Sequence, residues 1–338
     1  MDLKQAKTHL AQKNNDVREE KVEYKTGQVL DDRNRAGKKR PWQKKKLENI
    51  RYAEYLKILE FKKEFKVKEC AEVLNYQIDE SGQAKLYQVY FCKSRLCPLC
   101  NWRRAIKSSK QLEMILTNAV LDYPQAQFLF LTLTTKNVFG KENLKVELAK
   151  MGRAVAKLMQ YKKVKKNVLG YVRSTEITVS KDGSYNQHMH VLVMVKASFF
   201  NDKENYITQK EWRSLWQKAM KLDYDPRVFV EKVSDKSGKG SLTSAAFETA
   251  KYQAKSADYL TSDDAKNLKI IDDFEYALRG TRQISYAGVL KEIHKKLHLD
   301  DAEKGDLVHA DGKLEDEKQV VRIAVAKFDY IRKNYFWT

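Results

Sequence analysis

Ser184 to Val195 reads SYNQHMHVLVMV, two histidines one residue apart in an otherwise apolar run. Side chains i and i+2 of a strand share a face, so His188 and His190 point one way while Met189, Val191 and Val193 point the other. The preceding segment LGYVRSTEITVS, residues 169–180, is joined to it by Lys181-Asp182-Gly183. That linker suits a three-residue hairpin loop with glycine in the left-handed position, pairing Ser180 with Ser184. Carried down the ladder, this register sets Glu176 opposite His188 and Ser174 opposite His190. A slip of one residue would turn Glu176 to the other face. Two imidazoles and a carboxylate suit a divalent ion with open positions, which acts as a Lewis acid on a phosphoryl oxygen. A pair of hydrogen-bonded histidines in a sheet is the alternative.

Charge indicates what such a site would meet. The 338 residues carry 65 Lys+Arg against 45 Asp+Glu, a formal charge of +20, and such a surplus attracts polyanions, nucleic acid first. No uninterrupted apolar run exceeds Val191–Val195, far short of the roughly 18 residues a membrane span needs. The polar N-terminus also lacks a secretory apolar segment, so a soluble, cytoplasmic protein with no membrane partner is expected.

Residues 1–46 show little hydrophobic periodicity, and the run from Arg33 to Lys46 is basic without an acid. They read as a mobile basic arm or a merely solvated tail. Residues 47–125 are expected to hold an amphipathic helix over 47–65, a hairpin turning at DESG, and a cysteine-rich site. Residues 126–262 alternate strands and helices, with FLFLTLTT (128–135) as an interior strand and helices near 141–161, 208–221 and 244–258, a pattern of α+β or α/β type. Residues 263–338 are expected to form a C-terminal helical region.

Cys70, Cys92, Cys97 and Cys100 are the four cysteines of the chain and fall within 31 residues. A C-x-x-C knuckle with two further thiolates at a hairpin base can close a tetrahedral, structural zinc site; four buried, reduced cysteines are the alternative. Arg103 and Arg104 follow the knuckle and are candidates for phosphate contact, or are surface residues. In SAAFETAKYQAKSADYL, a helical pattern makes Glu248 and Tyr252 i and i+4 neighbours, with Lys255 i+3 from Tyr252. A tyrosine is a weak nucleophile until a metal, a cation or a base stabilises its phenolate. Most tyrosines on such helices are core or rim residues.

FLFLTLTT, YNQHMHVLV and FETAKYQAK, in this order, resemble the three motifs of plasmid rolling-circle replication initiators, the single-tyrosine Rep family within the HUH endonucleases. CKSRLCPLCNWRRA and LRGTRQISYAGVLKEI extend the likeness over roughly residues 50 to 300. The resemblance implies an α+β fold, an HUH core with a central five-stranded antiparallel sheet and flanking helices, beside a small four-cysteine zinc subdomain. It implies His188, His190 and Glu176 as ligands of Mg²⁺ or Mn²⁺, with Zn²⁺ left open by the ligand type. Tyr252 would be the nucleophile that leaves a 5′-phosphotyrosyl link and a free 3′-hydroxyl, and Glu248 the activator of a terminating water. The DNA would be the plasmid origin, double-stranded and then single-stranded or extruded. A host helicase would separate the strands, since SGKGS is too short for a nucleotide-binding loop. A homo-oligomer is compatible with the sequence. Tyr259 is the rival second nucleophile. The rival functions are an HUH transposase or relaxase, and a zinc-stabilised DNA-binding regulator without chemistry.

Overall fold

The computed structural model describes residues 25–34, 36–80, 82–233, 249, 255–310 and 320–338. The strands among them are β1 (Val73–Asp79), β2 (Ala84–Val89), β3 (Gln127–Thr134), β4 (Val168–Val179), β5 (Tyr185–Val195), β6 (Val228–Lys232), β7 (Ile284–Gly288), β8 (Val320–Asp329) and β9 (Asn334–Trp337). The chain divides into two compact units.

One unit contains residues up to Arg40, residues 73–88 and the C-terminal residues from 314. Its sheet has the order β2-β1-β8-β9. The hairpin between β1 and β2 turns as DESG suggests: Gly82 takes a left-handed φ of 83°, and Asp79 Oδ1 accepts the Gln83 N–H at 2.9 Å. The hairpin's partner is β8, paired antiparallel from Val73↔Lys327, so residues 73–88 group with the C-terminal strands and not with the cysteines. The region beyond residue 262, expected to be helical, thus contributes strands β7, β8 and β9. The expected mobile arm is also revised over its described part. Gly27 and Leu30 donate to the Trp337 and Tyr335 carbonyls, at 2.8 and 3.0 Å, and residues from Trp42 onward are already helical.

The other unit holds residues 41–72 and 89–313. Its five-stranded sheet has the order β6-β3-β5-β4-β7, every described pairing antiparallel. β3 is interior, between β6 and β5, as its largely apolar sequence suggests. On one face Leu131, Leu133, Met189, Val191 and Val193 pack with Trp212 and Trp216 of the helix Gln209–Met220 and with Met151 and Val155 of Lys141–Leu158. On the other, Phe128, Val172, Leu192 and Met194 pack with Leu112 and Ile115 of Pro98–Asp122 and with Leu290 of Val289–Lys296. Each fully buried aliphatic side chain is worth about 1.5–3 kcal/mol, so a one-residue slip of β5 would forfeit several such terms and the register is firmly held. β4 and β7 pair antiparallel with Gly170 opposite Gly288, where glycines allow close approach: a Cβ on Gly288, whose φ is +58°, would collide with the Leu169 carbonyl oxygen.

Candidate active site

The hairpin of β4 and β5 builds the site. Ser180 N–H donates to the Ser184 carbonyl at 2.9 Å, and Gly183 takes a φ of 82°. The register runs down the ladder with Glu176 opposite His188 and Ser174 opposite His190, as the loop and the period of two require. Met189, Val191 and Val193 turn into the opposite core. The two imidazoles end at one carboxylate oxygen: Glu176 Oε2 lies 3.1 Å from His188 Nε2 and 2.9 Å from His190 Nε2. One ligand atom from each residue falls within 4.8 Å of the others, a spacing from which the three could hold a metal ion.

Two residues of β3 orient the inner histidine, and sequence reasoning did not single them out. Thr132, opposite His190, places Oγ1 3.4 Å from Nδ1, and the Phe130 ring stacks on the imidazole with centroids 5.4 Å apart. A hydrogen bond to the remote ring nitrogen fixes a ligand's tautomer and orientation. The signal was present in FLFLTLTT, whose threonines alternate with its core leucines, but only the β3–β5 register shows that one of them meets His190.

Lys255 completes the cluster, with Nζ 2.8 Å from Glu176 Oε1. Burial works to raise the Glu176 carboxyl, yet the hydrogen bonds from His188, His190 and Lys255 outweigh it and hold the group well below the usual carboxylate range. The carboxylate is therefore charged and ready to serve as a ligand. One helix over 244–258 is not what the backbone forms at this point. Lys255 is extended, φ −82° and ψ 140°, and caps a short helix Ser256–Tyr259. The break turns Lys255 toward Glu176 while Tyr259, four residues on, is buried. Glu248 and Tyr252 lie outside the described residues.

Tyr259 is fully buried and donates its hydroxyl to the Leu96 carbonyl at 2.5 Å. Burial pushes its phenol well above the ordinary value. A phenol so placed is a packing residue. Arg103 and Arg104 are likewise interior, 1% and 5% exposed. Arg103 donates to the Leu307 and Val308 carbonyls, and Arg104 to the carbonyls of Lys93 and Ser94 and to Asn101 Oδ1. These arginines tie loops to the helix and do not offer a phosphate-accessible face, which removes them from the set of DNA contacts.

The four cysteines converge as their spacing suggests. Cys70 Sγ lies 3.5 Å from Cys100 Sγ and 3.6 Å from Cys97 Sγ, and Cys92 Sγ lies 3.7 Å from Cys100 Sγ. Tetrahedral zinc with bonds of about 2.3 Å separates its sulfurs by about 3.8 Å, so the cluster has the dimensions of such a site. All four are free thiols. The Cys70 main chain is tied by the fully buried Lys46, whose ammonium donates to the Lys68 and Cys70 carbonyls at 2.6 and 2.9 Å. Asn49 Nδ2 approaches Cys97 Sγ at 3.4 Å. Burial lowers the Lys46 pKa, against the opposing pull of Cys70, Glu72 and the other thiols; when charged, this ammonium opposes the negative charge that four thiolates would bring.

A basic chain thus carries two groups fit for metal, one closed and thiol-lined, one open and set beside a cation. A family profile described as "Replication protein" matches residues 83–336, and the chain belongs to this family of plasmid replication initiators. "Protein rep" of Lentilactobacillus hilgardii is 56% identical over 310 residues, covering 91% of this chain and 98% of that protein. "Protein rep" of Lactiplantibacillus plantarum is 53% identical over 315 residues, 91% and 99% of the two chains. "Protein rep" of Streptococcus pneumoniae serotype 2 is 39% identical over 312 residues, 91% and 95%. No solved structure matches the chain. Among the described residues no helix is long and apolar enough to cross a membrane.

Proposed function

We propose that this replication protein binds its plasmid origin, nicks one strand by transesterification onto Tyr252, and closes the replication round by strand transfer, on an HUH-type sheet. The observation that carries the reading is the convergence of His188, His190 and Glu176 on one face with Lys255, three residues beyond Tyr252 in the motif FETAKYQAK, in contact with Glu176. Family membership favours replication over transposition or conjugative transfer.

His188, His190 and Glu176 would hold a divalent ion, Mg²⁺ or Mn²⁺, which when bound supplies Lewis-acid polarisation of the scissile phosphoryl oxygen. The protein's own residues account for the rest. Thr132 and Phe130 keep the His190 ring aimed at Glu176. The Tyr252 phenol gives its proton to solvent and attacks phosphorus; the bond to the 3′ oxygen breaks, and that oxygen takes a proton from solvent to leave as the hydroxyl that primes synthesis. The Lys255 ammonium stands beside the triad to oppose the negative charge that develops there. Glu248 is assigned to deprotonate the water that ends the round, since a phosphotyrosyl link otherwise waits on a poor nucleophile. The link keeps the phosphodiester energy, so no nucleotide cofactor enters this step, and strand separation falls to a host helicase.

The cysteine cluster is assigned a structural zinc, because four thiol ligands leave no position open. The experiment that tests the function is incubation with supercoiled plasmid carrying its own origin, with and without Mn²⁺. Open circles only with the ion and only on the origin plasmid support the reading; stable binding without any nick would favour a non-catalytic regulator.

A further inference from the structure

Among the described residues β6 is an edge strand of the five-stranded sheet, and it carries an exposed aromatic ring. Phe229 of β6 is 55% exposed, beside Glu231 and Lys232, the kind of charge that edge strands present to blunt pairing with other chains. Its neighbours Val228 and Val230 pack into the tryptophan-bearing core, which puts Phe229 on the other face. Phe229 is opposite Thr132, and Thr132 is opposite His190. Directly opposed residues of an antiparallel pair share a face, so Phe229, Thr132 and His190 form one row across three strands. Two strand spacings separate Phe229 from His190, roughly 10 Å.

Side chains of both signs surround this edge, the exposed Glu231, two residues along the Phe229 face, being an acid among several cations. The Arg227 carbonyl accepts both the N–H and the hydroxyl of Thr134, at 3.3 and 2.9 Å, and Thr134 is opposite His188. Arg227 is exposed and directly precedes β6, so the strand's alternation, continued by one residue, would carry its side chain to the histidine face, one row along from Phe229. The edge also opens into a cavity of about 610 Å³ lined by Lys210, Arg213, Arg227 and Phe229, among others. Its acid, Asp225, is paired with Arg213 at 3.0 Å.

We propose that Phe229 is a stacking platform for a base of the single strand held at the triad, and that Arg227 takes an adjacent phosphate. This rests on the nicking reading above and specifies how that site grips its strand. Every base has a π-face, so such a platform holds a strand without reading its sequence, and each stacked base contributes substantially to binding. Its place in the His190 row sets the stacked base close beside the scissile phosphate.

The test is equilibrium binding of a fluorescein-labelled single-stranded 20-mer to the full chain, followed by anisotropy without added divalent ions so that nothing is cleaved. Phe229→Ala should weaken binding roughly tenfold, Phe229→Trp should keep it within about twofold of wild type, and Leu121→Ala, an exposed apolar control, should leave it unchanged. With 2-aminopurine placed in turn at each position near the nick, one position should be quenched by the wild type and released in Phe229→Ala. Unchanged affinity of Phe229→Ala, full affinity of Phe229→Leu, or a variant that alters the oligomeric state and not DNA affinity would overturn the proposal. Because binding is read without cleavage, a chain that grips single strands through Phe229 yet never nicks would sink the nuclease reading and leave this one standing.

Discussion

Lys255 Nζ and Glu176 Oε1 stand 2.8 Å apart, so a cation already leans on a carboxylate that the two histidines share. A second cation entering the triad meets that charge. Lys255→Met is therefore expected to tighten Mn²⁺ binding several-fold, and Glu176→Ala to weaken it by at least about tenfold, since a ligand is lost outright. Mn²⁺ titration followed by electron paramagnetic resonance reads both. Equal affinity in all three proteins would mean that the ion does not sit at Glu176.

The cysteine cluster should hold one zinc per chain. Metal binding to such a site is folding free energy, so Cys97→Ser or Cys100→Ser should lower Tm by about 10 °C or more and abolish the zinc found by elemental analysis. Zinc-free wild type with four freely titrating thiols would reject the site.

The pairing of β4 with β7 leaves no space for a methyl group at Gly288, where φ is positive and an added Cβ would run into the Leu169 carbonyl oxygen and the Gly170 Cα. Gly288→Ala should cost about 2–4 kcal/mol, measured by denaturant unfolding. A cost below about 0.5 kcal/mol, the size of a tolerated surface change, would show that the two strands separate easily.

Tyr259→Phe distinguishes one tyrosine from two. Its hydroxyl is committed to the Leu96 carbonyl in the interior, so the variant should lose about 1 kcal/mol of stability and still give unit-length replication products. Loss of those products, sized on a plasmid with an initiation and a termination site, would transfer the terminating role to Tyr259.

The hairpin register was legible because two constraints agree: a period of two with one buried face, and a loop whose glycine fixes the pairing of Ser180 with Ser184. Cysteine spacing similarly announced the cluster. What could not be read depends on distant chain. The grouping of 73–88 with β8 is set by a pairing in which Val73 meets Lys327, and local pattern does not reveal a partner so far along the chain. Arg103 and Arg104 looked like surface cations because nothing in CNWRRA shows that the carbonyls of Leu307 and Val308 will cover Arg103, or that those of Lys93 and Ser94 will hold Arg104. The helical period through 244–258 gave no sign of the extended backbone at Lys255, which its contact with Glu176 accompanies.

Joining of the Tyr252 phenol to DNA is the central claim. The direct measurement uses an oligonucleotide spanning the origin nick and labelled at its 3′ end, incubated with the protein and Mn²⁺, denatured, and mapped by peptide mass spectrometry. A denaturation-resistant adduct is expected on the peptide containing Tyr252, absent without the divalent ion and absent from Tyr252→Phe, which should bind the same DNA within a few-fold of wild type. An adduct on another residue, or full nicking by Tyr252→Phe, would contradict it.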